Sequence, residues 1–313
     1  MHPLVPALLV EPHPEHAAAP LCPRPEVRHQ ALVLLKPECF LAPDPAPVLD
    51  VALRALEQGG ELAGAVVVAG PLLERLGTLD RHYRLASQLS RGASSLLGDS
   101  DRQALSSLCG LPLDVPMWGG HELLARTPAL TAEVLDAAWY AQRPRKLRSG
   151  TYAVPFETPE GPCLLVNGFY PAQVAHFTAP GRRTALLLLQ SERPWAWLRR
   201  DLLGDTYPDR AVPGSLRRTL LEQKDPLGLE RVDITANFVH LSAGPLEGAW
   251  ELLNFFGGLE TAAFRLEDSS VARRWSGSTR DLEARLRDGG DLFGQTEDLD
   301  VEAALARLGG EAL

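Results

Sequence analysis

A histidine that attacks phosphorus needs a neighbour to hold one ring nitrogen, and cations to gather the negative charge of the group being moved. This sequence contains residue types that suit both tasks. His240 stands in the apolar run 237–242, together with Asn237 and Ser242. Lys36 directly follows another apolar run, ALVLL at 31–35. Arg200 lies just before a long proline-containing stretch, and Thr206, Arg217 and Arg218 lie within it. Cations around one imidazole suit phosphoryl transfer, in which positioning and electrostatics provide most of the catalysis. Taken singly, these residues have ordinary readings. A histidine on an apolar strand is most often structural, a lysine after a strand is a solvated end, and an arginine on a helix is a surface charge. Spacing alone does not bring them together. No Walker-A pattern and no Gly-x-Gly-x-x-Gly is present to cradle phosphate with backbone.

The elements that must position these residues follow from the hydrophobic pattern. Residues 31–35 predict a buried strand, 47–58 a helix ended by Gly59-Gly60, and 61–69 a second strand with Val66, Val67 and Val68 in a row. A helix with an interruption near Gly77 is predicted over 72–87. The middle of the chain is less regular: 122–139 suits one or two short helices, and 152–166 reads as a hairpin about TPEGP. Regularity returns with a strand at 185–189 and a helix at 194–203 that begins on proline. A long irregular loop spans 204–235, a short strand 237–242, and an amphipathic helix 246–256 closes on Gly257-Gly258. The rest is charged and polar, with one helix at 301–308. The order β-α-β-α, then β-α-loop-β-α, predicts a sheet with helices packed on one face.

Composition narrows the class. The chain has 313 residues, 45 % hydrophobic and 23 % charged, as in an ordinary globular protein. A net charge of -9 argues against a broad nucleic-acid surface, though not against a small pocket of arginines. Cys22, Cys39, Cys109 and Cys163 are scattered without metal-ligand spacing, which suggests reduced thiols and a cytoplasmic protein. The proline-rich residues 1–29 lack a basic start and read as a flexible leader. No run approaches a membrane span.

Four segments carry a resemblance. ALVLLKPECF resembles the opening strand of nucleoside diphosphate kinases with its Lys-Pro-Glu. LDRHYRLAS resembles their His-Tyr helix. RRDLLGDTYPDRAVPGSLR resembles Arg-x-x-x-Gly-x-Thr-x-Pro followed by Pro-Gly-Thr-Ile-Arg. ANFVHLSAGPLEGAWELLNFF resembles Asn-x-x-His-Gly-Ser-Asp and its following helix. The resemblance covers 30–90 and 183–258, leaving 91–182 as an insertion and 259–313 as a C-terminal extension. It implies an α/β (α+β) ferredoxin-like fold with an antiparallel four-stranded sheet. It also implies a phosphohistidine enzyme that moves the terminal phosphate of a nucleoside triphosphate to a nucleoside diphosphate. His240 would be the nucleophile, Glu251 would orient it, and Ser242 would stand near that pair. Lys36 and Asn237 would hold the ribose hydroxyls, Tyr83 would approach the reacting phosphate, and Arg200, Thr206 and Arg217 would hold the phosphates. Mg2+ would arrive on the nucleotide rather than on protein ligands, and the family's habit implies a homo-oligomer.

The departures from the family pattern are local. Leu241 replaces the glycine after the histidine and Ala243 the aspartate. Arg91 stands where a phenylalanine would stack on the base, while Ile234 keeps the other side of that clamp apolar. In the insertion, Asn167, Tyr170 and His176 could reach a substrate, although a core role suits its aromatics better. Three functions fit: a general nucleoside diphosphate kinase, a phosphotransferase of the same mechanism with a specialised acceptor, and a non-catalytic nucleotide-binding module.

Overall fold

Every residue of His29–Leu35 is buried, and such a strand needs partners on both edges and cover on both faces. The structure, a computed structural model that describes residues 1–148, 150–289 and 292–309, provides both. Along the chain the strands are β1 (Glu15–Ala19), β2 (His29–Leu35), β3 (Glu61–Ala69), β4 (Met117–Gly119), β5 (Arg145–Arg148), β6 (Thr151–Thr158), β7 (Gly161–Val166), β8 (Arg183–Ser191) and β9 (Val239–Leu241). The chain forms two compact units, Met1–Leu76 with Pro180–Leu313, and Gly77–Ala179.

In the first unit the sheet order is β1-β3-β8-β2-β9, and every pair is antiparallel. Alternate side chains point to opposite faces. Ala31, Val33 and Leu35 of β2 join Val67 of β3, Leu187 of β8, and Val239 and Leu241 of β9 in one apolar cluster. Val48, Leu49, Leu53 and Leu56 of the helix Pro45–Glu57 complete it. The helix Pro245–Phe256 packs against β2 as well. Gly248 permits that approach, since a Cβ there would stand 2.9 Å from the Gln30 carbonyl oxygen. Helices therefore cover both faces, not one. The reason is that β2 is apolar at successive rather than alternate positions.

Three stretches hold more structure than their composition suggests. In the segment expected to be a flexible leader, Val5 and Leu8 are fully buried in the main cluster, and β1 pairs with β3, whose edge would otherwise be open. The long loop contains the helix Leu216–Glu222. The C-terminal extension forms the helices Ser270–Arg274, Thr279–Asp288, Leu292–Thr296 and Val301–Arg307. Their Val271, Leu282, Leu286, Val301 and Leu305 cluster with Leu246 and Ala249 of Pro245–Phe256. Asp300 ties the extension to β2, bonding His29 Nε2 at 3.0 Å and accepting from Arg28 at 2.6 Å and the Trp195 N–H at 2.8 Å.

The second unit has its own sheet, β4-β7-β6-β5, parallel only between β4 and β7. Leu89, Met117, Leu164 and Val166 belong to one apolar cluster, and Leu135, Trp139, Val154 and Leu165 to another. Among the described residues no helix is long and apolar enough to cross a membrane.

Candidate active site

Strand alternation sends Val239 and Leu241 into the apolar cluster that includes the helix Pro45–Glu57. His240, between them, turns to the opposite face. There the helix Pro245–Phe256 brings Glu251, fully buried, to 2.8 Å between Glu251 Oε1 and His240 Nε2. The other carboxylate oxygen accepts a short hydrogen bond from the Ser242 hydroxyl. That hydroxyl in turn accepts the Leu32 N–H at 3.0 Å, so backbone, serine, glutamate and imidazole form one chain of contacts. A buried carboxylate with two donors stays satisfied and holds the ring in one orientation. The bulk of Leu241 lies in the core and away from His240, because adjacent strand residues face opposite ways.

β9 is an edge strand, and its outward carbonyls are met by arginines rather than by another strand. Arg217 donates to the Val239 carbonyl at 2.8 Å and the Gly204 carbonyl at 3.1 Å. Arg199 donates to the Leu241 carbonyl at 3.4 Å. The two guanidinium groups thus bracket His240 along the strand. Arg199 reaches this place from a wide π-helical turn, Leu198–Leu203. The chain then bends at Gly204, whose φ of +91° and crowding against Ser215 Oγ, 2.5 Å from an added Cβ, leave room only for glycine. Arg199 and Arg217 also line a cleft of about 300 Å³ with Arg200, Asp205, Thr206, Arg210 and Asp298. Four arginines against two aspartates leave this small cleft net positive, which favours an anion.

Lys36 lies at the end of β2 and donates to Asn237 Oδ1 at 2.5 Å. Burial lowers the pKa of this lysine, and the charge of Arg217 lowers it further, against an opposing pull from Glu38. Glu38 accepts the N–H of Phe238 at 3.1 Å. Phe238 has φ of +63°, an unfavourable conformation for a bulky residue, and this kink leads the chain from Asn237 into β9. Glu247, one turn before Glu251, has its pKa raised to about 8 by burial and by the charge of Glu251. It accepts the Ala243 N–H at 3.2 Å.

The structure therefore brings together His240, Glu251 and Ser242, and separately Lys36 and Asn237, with Arg217 close enough to act on the lysine. Arg200 and Thr206 line the cleft, but the Arg200 guanidinium is exposed and paired with Asp201 at 2.8 Å. Ile234 is half-buried and accepts from Asn237 Nδ2 at 3.4 Å. Tyr83 and Arg91 belong to the second unit. Tyr83 lies between the helices Thr78–His82 and Arg84–Leu96, with its ring 6.3 Å from that of Tyr170. Arg91 is paired with Asp80 at 3.1 Å, and Asp80 also accepts from Tyr170 at 2.9 Å and Ser87 at 2.8 Å. Asn167 is buried and structural, accepting the Tyr152 N–H at 3.1 Å and donating to the Gly150 carbonyl at 2.8 Å. Reading the sequence missed Arg199, Arg210, Glu247 and Asp298. The doublet Arg199-Arg200 was the one visible signal, and the pattern drew attention to its second member.

No protein-family model matches the chain, and no curated protein matches it. Among solved structures it is similar to a nucleoside-diphosphate kinase from Borrelia burgdorferi, described as a transition-state mimic with bound vanadate and ADP. That similarity has 13 % identity and a TM-score of 0.34, over 75 % of this chain and 91 % of that one. It is also similar to an NDP kinase from Pyrobaculum aerophilum, with 18 % identity and a TM-score of 0.35, over 75 % of this chain and 98 % of that one.

Proposed function

We propose that this chain is a phosphotransferase of the nucleoside diphosphate kinase type, which carries a phosphoryl group on His240 between nucleoside tri- and diphosphates. The observation that carries this reading is the imidazole held by a buried Glu251–Ser242 pair on a strand bracketed by two cleft-lining arginines. The strand order of β2, β3, β8 and β9, with β8 between β2 and β3, supports a ferredoxin-like core for such an enzyme.

The chemistry follows from the contacts. Glu251 accepts the Nε2–H of His240, which leaves the lone pair on Nδ1 and directs a phosphoryl group to that nitrogen. Nδ1 attacks the terminal phosphorus of the donor. A P–N bond forms, the bond to the bridging oxygen breaks, and the donor leaves as its diphosphate. A terminal oxygen of an acceptor diphosphate then attacks the same phosphorus and the P–N bond breaks, restoring His240. Through both steps Glu251 stabilises the positive charge that develops on the ring. Arg217 and the other cleft arginines offset the spread charge of the moving group. Mg2+ enters as part of the nucleotide substrate, on its phosphate oxygens.

The test is intact-protein mass after mixing with Mg·ATP or Mg·GTP, run beside His240→Ala. An acid-labile gain of one phosphate that the variant lacks, discharged by nucleoside diphosphates, is the expected result. No gain with either donor would count against the reading. A phosphoenzyme that no nucleoside diphosphate discharges would redirect the search to a specialised acceptor.

A further inference from the structure

The anion cleft contains a negative charge from a distant part of the chain. Asp298 lines it beside Arg199, Arg200, Arg210 and Arg217. Its carboxylate lies 3.4 Å from Arg199 Nε, and Glu297 takes the Arg199 Nη2 at 2.8 Å. The backbone holds this segment in place independently of the ion pairs. The Asp298 N–H donates to the Ala243 carbonyl at 2.9 Å, and the neighbouring Leu292–Thr296 and Val301–Arg307 pack on the helix Pro245–Phe256. Two carboxylates are thus presented to one guanidinium of the cleft, beside β9.

We propose that Glu297 and Asp298 act as an internal competitor for the anion at Arg199, so that the C-terminal extension sets the affinity of the cleft. The proposal rests on the cleft being the phosphate site of the function above, and it deepens that reading by naming what tunes it. Three features make the competitor reversible. Glu297 and Asp298 are about half exposed, at 46 % and 52 %, so each ion pair is weak enough for a polyanion to displace it. Arg199 keeps its contact with the Leu241 carbonyl, so it remains beside the strand when the carboxylates let go. A phosphate with its denser charge outcompetes a single carboxylate for a guanidinium fork. The consequence is weaker binding of small anions, while a triphosphate, with more charge, still enters.

The experiment is calorimetric titration of the full-length protein with inorganic tripolyphosphate at low salt, for wild type, Glu297→Gln, Asp298→Asn and the double variant. The double variant should bind roughly threefold to tenfold more tightly. The gain should shrink in concentrated salt, which screens exposed charges. In an Arg199→Gln background the same two amides should produce no gain, because their common partner is gone. Circular dichroism checks that each variant folds, and isosteric amides on exposed side chains make that the expected outcome. Unchanged or weaker binding in the double variant would overturn the proposal, and so would a gain that persists in the Arg199→Gln background. No tripolyphosphate binding by any variant would overturn it as well. Because binding is read without turnover, a response to the amides in a protein that never forms phosphohistidine would leave this inference standing while the proposed activity fell.

Discussion

Glu251, buried entirely, holds Nε2 of His240 at 2.8 Å. Glu251→Gln keeps the shape but removes the charge that stabilises an imidazolium. Phosphohistidine formation in rapid-quench experiments should slow by at least about 100-fold, with the donor concentration for half-saturation little changed. A wild-type rate in this variant would separate the pair from the chemistry.

Arg217 serves backbone and cleft at once, bonding the Gly204 and Val239 carbonyls with 6 % of its surface exposed. Arg217→Lys keeps the charge, yet one ammonium cannot span both carbonyls in the same geometry. Urea unfolding should show a loss of about 1–3 kcal/mol. An unchanged midpoint would remove the clasp from the account of β9.

Glu247 makes a pH prediction. Its folded pKa is raised to about 8 by burial and then by Glu251, so the folded state holds a proton that the unfolded state releases near pH 4.5. Between those values the native form binds more protons, and stability falls as pH rises. Glu247→Gln should flatten that fall and exceed wild type at pH 8 by a few kcal/mol at most. Parallel wild-type and variant curves from pH 5 to 8 would argue that Glu247 ionises as it would in water.

His121 predicts the opposite slope in the second unit. Burial first, and then the Arg91 charge, lower its pKa to about 4, against the pull of Asp80. Ser90 Oγ bonds its Nδ1 at 2.9 Å. The unfolded chain therefore binds a proton below about pH 6.5 that the native state refuses, and stability is lost as pH falls from there toward 4. After allowance for the part of the ring near solvent, the loss should be about 1–2 kcal/mol. His121→Asn should remove it, as measured by thermal unfolding monitored at the second unit's Trp118 and Trp139 against the wild type.

Asp300 joins three donors from β2 and its surroundings to the C-terminal extension. Asp300→Ala leaves the Trp195 N–H without that acceptor and uncouples fully buried His29. The expected loss is about 2–4 kcal/mol by denaturant unfolding. A smaller effect than 0.5 kcal/mol, roughly the scatter of surface substitutions, would mean that the extension is held by its apolar cluster alone.

The residues around His240 were legible in the sequence wherever local order carries geometry. The hydrophobic pattern located a short strand carrying His240 and a helix after Pro245, while the pairing of Glu251 with His240 rested on the family resemblance and not on local order. Apolar runs located β2, β3 and β8, because burial demands such runs whatever the rest of the chain does. The leader reads as flexible, and the tail as charged and polar apart from the helix at 301–308, because a few spaced apolar residues such as Val5, Leu8, Val271 and Leu282 mark a core only once their partners are known. Nothing in the local sequence singles out Arg199 on its helix or Asp298 in the charged C-terminal stretch. Only the tertiary structure put them together, through a π turn that aims Arg199 at the open edge of β9 and a C-terminal segment anchored on the Ala243 carbonyl. The physical reason is range: strand and helix periods are set by neighbouring residues, whereas the charge balance of a cleft is set by whichever distant side chains folding brings within a few ångströms.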